Sequence, residues 1–197
     1  DINPPYTSVS VDGPLGHNDW YRGEINISLS AVDNASCVNI TAYRIDNETW
    51  GIYENEIIIG EDGNHTIEFY SVDNAGNNET IHVITIHIDS TPPSTLYEIT
   101  PLQPDGNNSW YVSNVTVALI GNDTISGYNA TYYRINNETW HEYKNEIIIT
   151  DDGNYTVEFY SIDNAGNNET VGYVDFRIDK TGPLATVSLS GEGTEGW

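Results

Sequence analysis

Four aspartates occupy positions where a hard cation would find oxygen ligands. Asp73 and Asp163 open two copies of the turn sequence Asp-Asn-Ala-Gly-Asn, and Asp89 and Asp179 each stand just ahead of a Pro-bearing segment. Calcium takes about six to eight oxygens from carboxylates, carbonyls and water, and a junction between two folded units can supply them from both sides. Ca2+ bound there would stiffen the junction and offset part of the acidic charge. A simpler role stands beside this one. An Asp at a turn caps its own backbone, with Gly76 and Gly166 taking the left-handed conformation.

Carbohydrate is the second chemistry the residues suggest. Trp50 and Trp140, each closing the sequence Asn-Glu-Thr-Trp, are followed three residues on by Tyr53 and Tyr143. Flat aromatic faces of this kind can stack on a sugar ring. The same residues lie among strand residues, where a Trp ordinarily covers one end of a core, so packing is the expected role.

Carbohydrate can also be carried covalently. Thirteen Asn stand in Asn-X-Ser/Thr triplets: Asn26, Asn34, Asn39, Asn47, Asn64, Asn78, Asn107, Asn114, Asn122, Asn129, Asn137, Asn154 and Asn168. Composition alone would give about four, so the excess predicts an exported chain coated with N-glycans. Asn26 and Asn114 fall on the parity opposite the inward Ile and Val of their strands. Asn39 and Asn129 share parity with Tyr43 and Tyr133, expected to face inward, and are the two expected to be least occupied.

Catalytic machinery is missing from the pattern. His82 and His87 share one strand but, five apart, point to opposite faces and cannot hold one metal. No nucleophile elbow, phosphate loop or paired-carboxylate motif is present, and the chain reads as non-enzymatic.

The elements that must position these residues come in two copies. Residues 39–80 and 129–170 align without a gap, with 31 of 42 positions identical. A period of about ninety residues is too long for a solenoid unit and fits one small β-sandwich. Repeat one spans 1–89, repeat two 90–179, and residues 180–197 read as the opening strand of a third, with Trp197 in the place of Trp20 and Trp110. The same segment alternates Val187 and Leu189 with Thr186, Ser188 and Ser190, as a strand donated to another subunit would. Ile25, Ile27 and Leu29, like Val115, Val117 and Leu119, alternate with polar or small neighbours. Asp-Gly and Asp-Asn-Ala-Gly-Asn punctuate the runs, so about seven strands per repeat are predicted and the fold class is all-β.

Composition narrows the partners. The chain has 30 acidic residues against 6 basic ones, a formal charge of −24. That field repels phosphate backbones and anionic lipid, which argues against nucleic acid and membrane surfaces. No apolar run approaches the roughly 18 residues that cross a bilayer, so no membrane insertion is expected. The absence of Met reads as a processed piece of a longer exported protein. Cys37 stands alone, with Gly127 at the equivalent position, and is expected to be a small buried residue, an intermolecular disulfide being the alternative.

Tyr-Arg-Ile-Asp/Asn followed by Trp, the strand Gly-Asn-His/Tyr-Thr-Ile/Val-Glu-Phe-Tyr-Ser, Asp-Asn-Ala-Gly-Asn and the linker Ile-Asp-X-Thr-X-Pro together resemble tandem Ig-like (fibronectin-III-like) repeats of bacterial and archaeal surface proteins. The resemblance covers essentially the whole chain and implies two sandwiches in series at the cell surface. The dense Asn triplets without disulfides are closer to archaeal members of that group. It implies a structural building block of a filament, stalk or surface layer, self-associating through neighbouring repeats or subunits. A carbohydrate-binding or adhesive module, or a non-catalytic appendage of a secreted enzyme, is the alternative, because this sandwich serves all of them.

Overall fold

The computed structural model describes residues 1–188, and every regular element in it is a strand. The first repeat forms two antiparallel-dominated sheets. One is ordered β1 (Tyr6–Asp12), β3 (Ile25–Val32), β6 (Ile57–Ile59). The other is ordered β2 (Trp20–Tyr21), β8 (His82–Ile88), β7 (Gly63–Asp73), β4 (Val38–Ile45), β5 (Gly51–Ile52). The second repeat repeats the plan. β9 (Ser94–Thr100), β10 (Val115–Asn122) and β13 (Ile147–Ile149) face β11 (Tyr128–Ile135), β12 (His141–Glu142), β14 (Gly153–Asp163) and β15 (Gly172–Ile178). The counterpart of β2 is a single parallel bridge from Tyr111 to Ile178.

Alternation builds each core. Ile25, Ile27 and Leu29 of β3 and Ile67 and Phe69 of β7 are buried, while Asn26, Ser28, Glu68 and Tyr70 between them face outward. Val115, Val117, Leu119, Val157 and Phe159 do the same in the second sandwich. Each such side chain taken fully from water contributes about 1.5–3 kcal/mol. No ladder joins the two sandwiches, and pairing changes over between Ile88 and Ser94.

The first strand of each sandwich is clamped by a carboxylate, that of buried Glu79 in the first and of half-buried Glu169 in the second. Glu79 accepts hydrogen bonds from the Thr7 N–H at 2.9 Å, from the Ser71 N–H at 2.6 Å, and from the Thr7 hydroxyl. Glu169 holds the Thr95 N–H at 2.9 Å, the Ser161 N–H at 2.6 Å and the Thr95 hydroxyl in the same way. These bonds tie an edge strand of one sheet to the central strand of the other.

Several expectations need correction. Cys37 is exposed and takes φ 67°, the left-handed conformation that Gly127 takes at φ 88° in the second sandwich. It serves a turn instead of a core. Asn39 and Asn129 are exposed, because a β-bulge lies at each: Val38 pairs with Asp73 and Ile40 with Val72, skipping Asn39, and Tyr128 and Ala130 skip Asn129 likewise. The extra residue cancels the parity argument. The expectation for 180–197 is neither met nor overturned: residues 180–188 form no strand within this chain, with Leu184 and Val187 exposed, the partners of an opening or donated strand would lie in another sandwich, and Leu189, Ser190 and Trp197 lie outside the described residues.

Candidate functional site

Two of the four residues singled out for cation chemistry, Asp89 and Asp163, meet at the joint between the sandwiches, a third, Asp73, lies at the far end of the first, and three further aspartates complete a group at each place. Asp89, Asp123 and Asp163 each place a carboxylate oxygen within 4.8 Å of the others, and Asp1, Asp33 and Asp73 do so at the equivalent end of the first sandwich. Asp163 and Asp73 are the last residues of β14 and β7, Asp123 and Asp33 follow β10 and β3, and Asp89 and Asp1 precede the first strands. Asp179, the third residue of the linker type, is exposed and belongs to neither group among the described residues. Asp1, Asp33 and Asp123 escape a reading based on turn motifs. Their signal is the recurrence of Asp33-Asn-Ala-Ser36 as Asp123-Thr-Ile-Ser126.

Each carboxylate is already a turn cap. Asp163 Oδ1 accepts the N–H of Gly166 at 2.7 Å and of Asn167 at 2.8 Å, and its Oδ2 accepts Asn167 Nδ2 at 2.9 Å. Asp123 Oδ1 accepts the N–H of Ile125 at 3.1 Å and of Gly127 at 2.7 Å. Asp89 Oδ1 accepts the Thr91 N–H, and its Oδ2 accepts the Ser126 N–H, both at 3.0 Å. Asn167 Nδ2 donates to the Asp89 carbonyl at 2.8 Å. The capping role and the cation role therefore use the same atoms. A carboxylate oxygen has more than one lone pair, so an accepted N–H leaves capacity toward a cation.

Burial gives the joint its electrostatics. Asp89 and Asp163 are both fully buried at 0% exposure. Burial pushes the Asp89 carboxyl up, hydrogen bonds from Ser126 and Thr91 offset this in part, and the charge on Asp123 adds to the rise. Asp73 moves the other way: burial pushes it up, but hydrogen bonds from Asn77, Ser36 and Ala75 outweigh that and hold it below the usual carboxylate range. None of the six forms an ion pair with Lys or Arg among the described residues.

A loop of the first sandwich closes the joint. His17 N–H donates to the Ala165 carbonyl at 2.9 Å, Asn18 Nδ2 to Asn164 O at 2.9 Å, and Arg22 Nη1 to Gly166 O at 3.1 Å. Contact is tight enough that a Cβ on Gly16 would lie 2.3 Å from Ala165 O. Asp89 N–H also donates to Tyr21 O at 2.8 Å, fixing the linker to the same loop.

The aromatic residues do not form a shared platform. Tyr53 and Tyr143 pack on the cores, and Tyr143 Oη accepts the Leu119 N–H at 3.1 Å. Trp50 and Trp140 lie instead on the outer face, correcting the expectation that they cover a core end. Each sits edge-on to a tyrosine, Trp50 to Tyr70 at 4.9 Å and Trp140 to Tyr160 at 4.8 Å between ring centres. Arg44 stacks 4.8 Å over Trp50 and binds Glu68 at 2.5 Å; Arg134 stacks 4.7 Å over Trp140 and binds Glu158 at 2.7 Å. With a guanidinium over one face and a ring edge against it, each Trp is braced as part of the sheet surface. The expectation missed this because outward Arg, Glu and Tyr come from two strands far apart in sequence.

All thirteen triplet Asn reach the surface, with Asn26 half-buried and the other twelve exposed. An open groove of about 570 Å3 is lined by residues such as Tyr155, Asp175 and Arg177. Its polar groups are engaged locally, Asp175 by the Thr156 hydroxyl at 2.7 Å and Arg177 by the Asn108 carbonyl at 2.5 Å.

Comparison with known proteins sets this architecture in context. A family model for the bacterial Ig-like domain matches residues 58–90 and 111–180, just over half of the chain. No curated protein gives a significant match. Fibronectin(III)-like modules of CbhA from Clostridium thermocellum align at 15% identity over 87% of this chain and 94% of theirs, with a TM-score of 0.40. The D00-D0 domain of intimin aligns at 11% identity over 84% and 98%, with a TM-score of 0.37. A solved chain from a structure of a 1.5-MDa bacterial ice-binding adhesin aligns at 12% identity over 92% of this chain and 67% of that solved chain, with a TM-score of 0.38.

Proposed function

The chain belongs to the bacterial Ig-like domain family, and from that premise we propose that it is a structural, non-enzymatic part of an exported cell-surface glycoprotein. It acts as a length of filament, stalk or surface layer that holds a fixed spacing under load. The joint carries this reading: Asp89 is buried between sandwiches that grip each other through His17, Asn18 and Arg22. A linker built only for length would leave its residues in water. Clamped first strands, at Thr7 on Glu79 and Thr95 on Glu169, suit a module pulled from its ends. N-glycans on the surface Asn would shield it from protease and aggregation.

A divalent cation belongs to the same reading. The donor set fits calcium in kind, since Asp89, Asp123 and Asp163 are hard oxygen donors gathered within 4.8 Å. Bound calcium would supply positive charge among carboxylates that otherwise repel one another. The protein's own contribution is to hold those oxygens in place through the turn hydrogen bonds already described.

Electron microscopy of the native material, with and without a calcium chelator, tests both parts. Ordered filaments or lattices are the expected result, loosened by chelation. Dispersed particles in both conditions would sink the structural reading. Order that is indifferent to chelation would remove calcium alone.

A further inference from the structure

The outer face of the longest strand in each sandwich holds a triplet Asn beside an aromatic pair. Val72 of β7 forms an antiparallel bridge with Asn78, and Ile162 of β14 repeats it with Asn168. Opposed residues of such a bridge project from the same face, and residues two apart on a strand share a face. Asn78 therefore stands on the face of Tyr70, and Asn168 on that of Tyr160. Phe69, Ser71 and Asp73, on the alternate parity, are buried.

An open groove of about 340 Å3 runs beside Asn78, walled by Trp50, Tyr70, Asn78, Glu79 and Ile81. That volume is at the small end of the roughly 300–1,000 Å3 of small-molecule sites, whose walls are mainly aromatic and apolar. Its apolar wall is left in water, with Trp50 37% and Ile81 52% exposed. Every wall residue recurs ninety positions on, as Trp140, Tyr160, Asn168, Glu169 and Val171, with Val for Ile the single change. Asn137 and Asn154 also border grooves, but those walls hold Tyr173 and Tyr155, where the first sandwich has Val83 and His65. Asn168 and Val171 are exposed even with the preceding sandwich docked at Ala165 and Gly166, so this place remains open within a string.

We propose that the first sugar rings of an N-glycan on Asn78 fold back into this groove and stack on Trp50, and that the glycan on Asn168 does the same on Trp140. The inference rests on the glycoprotein reading proposed above and says where two of those glycans lie. Attachment needs an external transferase and a sugar carried as a phosphate ester. The Asn Nδ2 bonds to the anomeric carbon and gives up a proton, and the phosphate leaves with its bonding electron pair. The C–H face of a pyranose is apolar and covers a flat ring well. Arg44 and Tyr70 brace Trp50 before any sugar arrives, so little ordering entropy is lost at the ring. Stacking of one sugar is weak, but a short tether supplies an effective concentration on the millimolar scale.

The test uses the full chain secreted from a host whose N-glycans begin with N-acetylglucosamine, with hydroxyl-radical footprinting of each Trp. Thr80 is exposed, and Thr80→Ala removes the Asn78 triplet while every wall residue stays in place. In that variant Trp50 is expected to oxidise severalfold faster, with Trp20, Trp110 and Trp140 unchanged. Thr170→Ala should do the same to Trp140 alone. Thr49→Ala, which removes the triplet at Asn47, should leave Trp50 protected. Sugar C–H protons shifted upfield by the indole, and returned to ordinary positions in Trp50→Ala, distinguish stacking from shielding by a loose glycan.

Trp50 oxidised equally with and without the Asn78 glycan, protection that follows Thr49 instead of Thr80, or sugar protons at ordinary positions in the parent would each overturn the docking. Protection by soluble N-acetylglucosamine oligomers, with none from the attached glycan, would overturn it in favour of a free ligand. Glycopeptide mapping of native material separates this inference from the reading beneath it. Asn78 and Asn168 vacant among occupied triplets would overturn the docking alone, whereas no glycan at any triplet would remove the glycoprotein reading as well.

Discussion

The Asp89 carboxylate accepts a hydrogen bond from the Ser126 N–H at 3.0 Å, so the residue that closes one sandwich caps a turn of the next. Burial, joined by the nearby charge of Asp123, raises that carboxyl above its ordinary value. A group whose value is raised on docking holds its proton more tightly when docked. Its contribution is present in full below the ordinary carboxylate range and fades as pH rises through the raised value. Without divalent cations the joint is therefore expected to loosen with rising pH, seen as faster amide exchange at Ser126. Asp89→Asn should flatten that dependence. Whole-domain stability carries the opposite slope from Asp73, so only a local probe is decisive.

Separate cores imply separate unfolding. Phe69 is 1% exposed in the first core, and Phe69→Ala is expected to cost about 3–5 kcal/mol, a large share of a small domain's stability. Calorimetry should then show two transitions, with only the first sandwich's moved down. A single merged transition would mean that the joint couples the cores more strongly than its few hydrogen bonds suggest.

The clamp on β1 is a third point of attack. Glu79→Ala leaves the buried N–H groups of Thr7 and Ser71 without acceptors, each costing about 1–3 kcal/mol. Hydrogen exchange should become fast along Tyr6–Asp12 before the rest of the sandwich responds. Glu79→Gln, which keeps one carbonyl oxygen, is expected to fall between the variant and the parent.

Glycopeptide mapping of native material is expected to find Asn39 and Asn129 as available as the other surface sites, since both are exposed on bulges. Consistent vacancy at these two alone would show that the bulged strand excludes the modifying enzyme.

Regular features of the chain were legible before any coordinates. Alternation at Ile25, Ile27 and Leu29 announced an inward face, and the ninety-residue echo announced two units, because both are patterns of period. The same periodicity marked four aspartates alike, and only Asp89 and Asp163 of them meet at the joint, Asp73 lying at the far end of the first sandwich and Asp179 in neither group. What escaped depends on single backbone events or on partners distant in the chain. A one-residue bulge at Asn39 leaves no mark in composition. Trp50 turned out to be braced by Arg44 and Tyr70, from two different strands, and no local motif reports that. His17 and Ala165 meet across 148 positions through backbone atoms, which any side chain could accompany.

The bulges also make Asn39 and Asn129 supernumerary. The ladder runs from the Val38–Asp73 pair directly to the Ile40–Val72 pair and never counts the residue between. Deleting Asn39 would leave Thr41, Tyr43 and Ile45 on the face they already occupy, whereas a deletion inside the paired run would turn every later side chain over. The proposed glycan attachment points at these two positions can be gained or lost without repacking the interior. The density of the proposed carbohydrate coat is thereby free to drift between repeats while the sandwiches beneath stay the same.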